Sequence, residues 1–435
     1  MVELLYNLLL FLLLPFILAY HCYRSVTRGR RSALAERFGF IPADELAVVA
    51  GKPVIFVHAV SVGETMAAVP LLKGIRGRFP EHRIVLSNVT ETGRSVALKS
   101  KLADLCIYFP FDFNFAVAGV LDRVRPDLIV IMETEIWPNF IRAARARNIP
   151  VVLANGRISD RSLKRYLKLS WFFGPVLREI TALCMQTAAD GERIGAIGAR
   201  PDTVRVTGNL KYDLPVQIPS AEAVAVLKEK YRIPAGAFVF TAASTHEGEE
   251  GAAVEAYRAL VAAGGEHFMI LAPRHPERAA AVAELLRKEG VPFRLRSTLD
   301  EVTAALPAGS VLLLDTVGEL ARLYGASDLV FVGGSLVPTG GHNPLEPAAC
   351  GVAALFGPHM ENFREIATGF LGYGAGLQVP DPAGLAADVV ALYRDTTRRE
   401  QMGRQGARLL EESAGATRRH LDVMQEFQRG AVPRG

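Results

Sequence analysis

The sequence predicts an α/β protein with two doubly wound parallel-sheet domains and an apolar helix at its N-terminus, and three observations carry that prediction. From Pro53 onward short apolar runs alternate with helical patterns, the signature of a parallel sheet covered by helices. The alternation breaks at Leu214-Pro-Val-Gln-Ile-Pro-Ser220, which has two prolines and no helical period, and it restarts at Phe238. The 435 residues suit two or three domains at roughly 100–200 residues each. The expected organisation is an anchor over 1–23, one domain over 24–213, and a second over 214–435 that includes a final helix.

Residues Leu4 to Tyr20 read LLYNLLLFLLLPFILAY, close to the roughly 20 apolar residues, down to about 17, that cross a bilayer as a helix. Glu3 precedes this stretch and arginines follow it, the reverse of a secretory signal, so the expectation is an uncleaved anchor with the rest of the chain in the cytoplasm. Pro15 and Asn7 count against a full crossing, and both a spanning and an in-plane orientation stay open. Lys+Arg minus Asp+Glu is 49 − 45 = +4, too little for a nucleic-acid footprint, so no nucleic-acid partner is expected. The excess sits in one segment, with Arg24, Arg28, Arg30, Arg31 and Arg37 against Glu36 alone. Cys22, Cys106, Cys184 and Cys350 lack C-x-x-C spacing, which argues against a disulfide scaffold or a zinc site and for a reducing compartment.

Strands are expected in the first domain at Val54–His58, Ile84–Ser87, Leu128–Met132 and Val151–Ala154, with strand-like runs around Cys106 and Cys184. Helices are expected at Gly63–Arg78, Phe115–Arg125 and Pro138–Arg147. In the second domain the strands are Phe238–Ala242, Phe268–Ala272, Val311–Leu314, Leu329–Val332 and Ala353–Phe356. Helices Gly248–Ala263, Pro276–Lys288 and Gly318–Tyr324 separate them, and Ser413–Gln428 reads as a last amphipathic helix whose partner domain is not legible.

Ligands of open α/β sheets bind beyond the carboxyl ends of the strands, so the residues there matter most. Gly333-Gly334-Ser335 and Gly340-Gly341-His342-Asn343-Pro344-Leu345-Glu346 would let backbone N–H groups approach an anion. The same Asn343-Pro344-Glu346 pattern is also an ordinary capping box, and the two readings stand side by side. Arg274 and His275 follow another strand, as do Ser244 to Glu250 and Asp315 to Glu319, so four strand ends in one domain carry polar, glycine-containing turns. In the first domain Ser61, Gly63 and Glu64 have capping-box spacing. Glu133 and Glu135 would share one face of a continuing strand as paired carboxylates, or else belong to a surface turn. Arg157, Arg161 and Lys164 offer a seat for an anionic substrate, or plain helix-surface charge. There is no Asp-x-Asp, H-E-x-x-H, GxSxG, P-loop or GxGxxG, which disfavours metal, serine-hydrolase, NTPase and dinucleotide chemistry; no metal and no cofactor are expected.

Strings along the whole chain, in order, resemble the 3-deoxy-D-manno-octulosonic acid (Kdo) transferase family of lipid A assembly. They are Met1 to Tyr6, Glu36-Arg37-Phe38-Gly39, Ser61 to Glu64, Glu133 to Asn139, Gly208 to Asp213, Ser244 to Glu249, Pro273 to Arg278 and Gly340 to Glu346. The resemblance implies a GT-B glycosyltransferase that is inverting and metal-independent. Its partners would be CMP-Kdo in the C-terminal domain and a lipid A precursor in the N-terminal domain, at the cytoplasmic face of the bacterial inner membrane. It assigns Glu36 as the catalytic base, a residue that alone reads as a surface glutamate beside Arg37; Leu34-Ala35 stands where many members carry an aromatic residue. The donor positions it implies are Arg274, His275, Gly318, Glu319, Gly340, Gly341, Asn343 and Glu346, with Glu346 on the ribose hydroxyls. Ser61, Gly63, Glu64, Arg157, Arg161 and Lys211 are the expected acceptor or anion contacts. Two rivals remain open: a UDP-sugar GT-B enzyme such as a sugar 2-epimerase, and a non-catalytic lipid A-binding protein.

Overall fold

The computed structural model describes residues 2–28, 33–301 and 304–428. Arg30 and Arg31 of the basic cluster lie outside them. The chain divides into two compact units, one running to Asp213 and resuming at Gly415, the other spanning Leu214–Ala414.

The first unit holds β1 (Val54–His58), β2 (Arg83–Asn88), β3 (Leu105–Tyr108), β4 (Leu128–Met132), β5 (Val151–Gly156), β6 (Ala182–Met185) and β7 (Val204–Val206). They form one parallel sheet in the order β3-β2-β1-β4-β5-β6-β7. Strands β1 and β4 are buried along their whole length, which explains why they read as unbroken apolar runs rather than alternating ones. Phe56, Val85, Val117 and Phe140 pack on one face, and Ile55, Leu71, Leu72 and Ile75 on the other.

The second unit repeats the design with β8 (Phe238–Thr245), β9 (His267–Pro273), β10 (Phe293–Leu295), β11 (Val311–Leu313), β12 (Leu329–Val332), β13 (Ala353–Phe356) and β14 (Gly376–Gln378). The order is β10-β11-β9-β8-β12-β13-β14, again parallel. The carboxyl ends of β11, β9, β8 and β12 are therefore consecutive along one edge. Strands β7, β10 and β14 were not expected; each has three residues, too few for a periodic signal.

The last helix corrects one expectation. Ala416–Gln428 packs into the first unit and not the second. The Asp213 carboxylate accepts backbone N–H groups from Gly415 (2.7 Å), Ala416 (3.2 Å) and Thr417, filling donors that a helix start leaves unpaired. Leu421, Val423 and Met424 then join Ile55, Leu71 and Ile75 in one core. His420 is buried between them, with Nδ1 donating to the Ala416 carbonyl (2.7 Å) and Nε2 accepting from the Asn155 N–H (3.0 Å). The Gly208–Asp213 string thus serves this closure, since the Leu210 N–H also donates to the Asn155 side chain at 3.0 Å.

At the other end the helix Val2–Arg28 includes Glu3–His21, long and apolar enough by length and composition to cross a bilayer.

Candidate active site

Glu36 sits in a four-residue helix, Leu34–Arg37, beside the carboxyl end of β3. Its Oε1 accepts the Tyr108 N–H at 2.6 Å, and its Oε2 lies 3.4 Å from an Arg94 nitrogen, with only 13% of the side chain exposed. The Tyr108 ring is flanked by two guanidiniums, Arg37 at 4.4 Å and Arg94 at 4.6 Å from its centre. Arg37 also donates to the Val89 carbonyl (2.5 Å), so the segment is pinned to β2's end as well as to β3's. The turn needs glycine at 39: its φ is +88°, and a Cβ there would stand 2.5 Å from the Ala116 carbonyl oxygen. Burial pushes the Glu36 carboxyl above its ordinary range, against the Tyr108 hydrogen bond and Arg94, which pull it down. A carboxylate held in place and made more basic is suited to take a proton.

The neighbouring β1 and β4 ends are acidic. Ser61 caps the helix Val62–Arg78, and Glu64 accepts the Val60 N–H at 2.7 Å and the Ser61 hydroxyl at 3.1 Å. Burial, reinforced by Glu133 and Glu135, raises the Glu64 carboxyl to about 7. Of the two readings left open for Glu133 and Glu135, the turn holds and the shared strand face does not: β4 ends at Met132, and Glu133 turns away with φ of +54°. Arg157 lies 3.6 Å from Glu133, its charge spent on that carboxylate. Arg161 is exposed on the helix Asp160–Lys168, and Lys211 is half-buried in the turn Leu210–Tyr212. His58 is fully buried, stacked on Phe109 at 3.8 Å with Nδ1 against the Ser87 hydroxyl; burial lowers it to about 3, so it stays neutral.

The second unit's edge has a different chemistry. His246 and His342 stack with rings 5.1 Å apart and 9° from parallel, their Nε2 atoms at 2.8 Å, so one imidazole donates and the other accepts. His275 meets His246 edge-on at 5.8 Å, and the exposed Arg274 follows β9. Burial, with Arg274, His246 and His275 adding to it, lowers His342 to about 4.

The glycine turn after β12 is already filled. The buried Glu249 carboxylate accepts the N–H groups of Gly334 (2.6 Å), Ser335 and Leu336 (both 2.9 Å), and of His246 (2.9 Å). The donors suspected of holding an anion there hold the chain's own. Gly333 admits no side chain, since a Cβ would lie 2.6 Å from the Ser244 carbonyl oxygen.

Further along, Gly340 and Gly341 have φ of +95° and +75°. Asn343 does not cap the following helix in the expected register. The helix is Leu345–Ala349, Pro344 precedes it, and Asn343 Oδ1 accepts the Leu345 N–H two residues on (3.1 Å) while its amide reaches Glu346 at 3.3 Å. Burial raises the Glu346 carboxyl, partly offset by Asn343 and Arg274. Gly318 is exposed with φ of +91°. Glu319 accepts from Tyr231 (3.1 Å), Arg296 (3.0 Å) and Thr316 (2.5 Å); burial opposes ionisation, yet these bonds hold its carboxyl below the usual range.

The family model described as 3-deoxy-D-manno-octulosonic-acid transferase matches residues 32–214. The 3-deoxy-D-manno-octulosonic acid transferase of Haemophilus influenzae is 37% identical over 428 residues, 97% of this chain and 98% of its own. The chain belongs to the Kdo transferase family. As a member it is a glycosyltransferase. Among solved structures, a glycosyltransferase of Rickettsia africae is similar at a TM-score of 0.56 and 14% identity, covering 88% of this chain and all of its own. The UDP-GlcNAc 2-epimerase of Neisseria meningitidis is similar at 0.57 and 13%, covering 86% and all. These two share the GT-B fold with the Kdo transferase, and an epimerase among them means that the fold alone does not select the chemistry.

Of the expected donor residues, Arg274 and His275 follow β9 and Gly318 and Glu319 follow the adjacent β11, while Asn343 and Glu346 come after β12, which β8 separates from β9. His246, His342 and Glu249 stand inside the strings read above but were not among the expected site residues. The Ser244–Glu250 string contained the signal, a histidine and a first-turn glutamate after a strand, but their partners lie 85 to 96 residues away.

Proposed function

We propose that this Kdo transferase moves Kdo from CMP-Kdo to the 6′-hydroxyl of a tetraacylated lipid A precursor, with inversion and without a metal. Glu36 takes the hydroxyl proton as the acceptor oxygen bonds to the anomeric carbon. The bond from that carbon to the phosphate oxygen breaks, and CMP departs with the electron pair. The observation that carries this reading is the Glu36 carboxylate, fixed by the Tyr108 N–H and Arg94 and made more basic by burial.

In this reading the second unit binds the donor. Arg274 and His275 meet its phosphate or carboxylate, Glu346 and Asn343 its ribose, and Gly318, Glu319, Gly340 and Gly341 shape the cradle. Positive charge and donors facing the departing phosphate favour the transition state most. The first unit takes the acceptor, with Ser61, Gly63, Glu64, Arg157, Arg161 and Lys211 as its contacts. Of these Arg161 alone is an exposed cation, and Glu64 faces inward. The helix Val2–Arg28 holds the enzyme at the cytoplasmic face of the inner membrane, where its substrate lies.

Mass spectrometry of the lipid A precursor after incubation with detergent-solubilised protein, CMP-Kdo and EDTA tests the reading. A gain of one or more Kdo units is expected, and inversion follows from the anomeric configuration of the product. Folded protein that leaves CMP-Kdo and precursor unchanged, or that works only with added divalent metal, overturns it.

A further inference from the structure

The N-terminal helix is docked lengthwise on the first unit. Near its start the Tyr6 hydroxyl donates to Asp112 at 2.9 Å, Asn7 Oδ1 accepts from the Asn139 amide at 2.7 Å, and the Tyr6 ring meets Phe172 at 5.5 Å. Midway Phe11 meets Phe113 at 5.4 Å, and near the end His21 meets Phe111 at 5.4 Å. The half-buried positions Tyr6, Asn7, Leu10, Leu14, Ile17 and His21 recur at three- and four-residue steps, one face of a helix. The opposite face is apolar and open, with Leu4, Leu12, Phe16 and Tyr23 between 63% and 74% exposed.

From Tyr6 to His21 the helix advances roughly 22 Å at 1.5 Å per residue, most of a hydrocarbon core about 30 Å thick. Both ends touch the same unit. The unit at the Tyr6 end is polar: Asp112 accepts the Asn139 and Phe140 N–H groups at 3.0 and 2.8 Å, and Glu3 lies 3.9 Å from Arg142. A crossing helix would drag these groups into or through the bilayer, where charged side chains are costly and rarely found unpaired. We propose that the helix does not cross: it lies in the plane of the cytoplasmic leaflet, its docked face on the first unit and its open face among the acyl chains of an anionic membrane.

Charge and aromatic placement select that occupant. Arg24, Arg28, Arg30 and Arg31 follow the apolar stretch in the sequence. Beside its other end Trp171, 55% exposed, adjoins the Phe172 that touches Tyr6, and the helix Asp160–Lys168 just before it exposes Lys164, Arg165 and Lys168. An apolar strip with a tryptophan and cations at its border fits an interfacial position on anionic lipid.

The inference rests on the reading that the chain is held at a membrane, and the test separates the two. Full-length protein carrying an epitope before Met1 is produced in bacterial cells, and protease is added to spheroplasts and to inverted vesicles. The in-plane helix predicts an epitope protected in spheroplasts and digested in inverted vesicles, together with the rest of the chain. Digestion from the spheroplast side overturns the in-plane helix and leaves membrane anchoring intact. Protein that fails to float with vesicles containing anionic lipid overturns both. Replacing Lys164→Ala and Lys168→Ala together should weaken flotation on anionic vesicles by roughly ten- to thirtyfold and leave neutral vesicles unaffected. Equal flotation of this variant and the parent on anionic vesicles overturns the cationic border.

Discussion

The two sheets share a construction and differ in what stands at their carboxyl edges. The first presents carboxylates, Glu36, Glu64, Glu133 and Glu135, several of them raised by burial. The second presents imidazoles and a guanidinium, His246, His275, His342 and Arg274, beside carboxylates bonded within the unit: Glu249 by backbone N–H groups, Glu319 by Tyr231, Arg296 and Thr316, and Glu346 by Asn343. In the proposed reaction the first edge removes a proton and the second receives an anion. Duplicated folds need not duplicate chemistry; a few residues after each strand decide the sign.

The largest effect expected is on Glu36. Glu36→Gln keeps the acceptor for the Tyr108 N–H but cannot take a proton, and should lower kcat by ~10²–10⁴-fold with the KM for CMP-Kdo nearly unchanged. Full turnover by this variant in a steady-state assay would remove the division of labour between the edges. Arg274→Ala should do the reverse, raising the donor KM by ~10–100-fold, the worth of a charged hydrogen bond, with kcat less affected. An altered kcat with unchanged KM would move Arg274 out of the donor contacts.

Glu249 tests whether the second edge depends on its internal anion. Glu249→Ala strands four backbone N–H groups and should cost on the order of 3 kcal/mol or more by chemical denaturation, with Glu249→Gln costing less. A loss below about 1 kcal/mol would mean that water or a bound anion replaces the carboxylate.

The smallest effects are pH slopes of opposite sign. The Glu64 carboxyl is raised to about 7, so its contribution is complete below about 4.5 and is lost as pH rises through 7; Glu64→Gln should gain stability relative to the parent at pH 8.5 and not at pH 5. His342 is lowered to about 4, so its contribution is present above about 6.5 and is lost as pH falls towards 4; His342→Gln should gain at pH 5 and not at pH 8. Urea midpoints across that range check both, and slopes of one sign would erase the contrast.

How much of this was legible in the sequence follows from range. Strands buried on both faces are continuous apolar runs, so most of both sheets could be read; three-residue edge strands such as Val204–Val206 have no period to read. Glu36 was reachable through family resemblance alone, because its partners, Tyr108 and Arg94, lie 58 and more residues away and its own helix is one turn long. The glycine turn was read as an open cradle because nothing local announces that Glu249, 85 residues earlier, occupies it. The last helix announced an apolar face but not its partner, which the Asp213 carboxylate selects from 202 residues away.

That Asp213 contact has a consequence for synthesis on the ribosome. The second unit is one uninterrupted stretch, complete as soon as Ala414 has emerged, and a gene segment encoding 214–414 could be exchanged between relatives as a cassette. The first unit, though begun earlier, stays open until the final turns arrive, with Leu71 and Ile75 waiting for Leu421 and Met424. The order of translation is thus reversed in the order of completion, and a ribosome stalled before residue 416 should hold a finished second unit on an unfinished first.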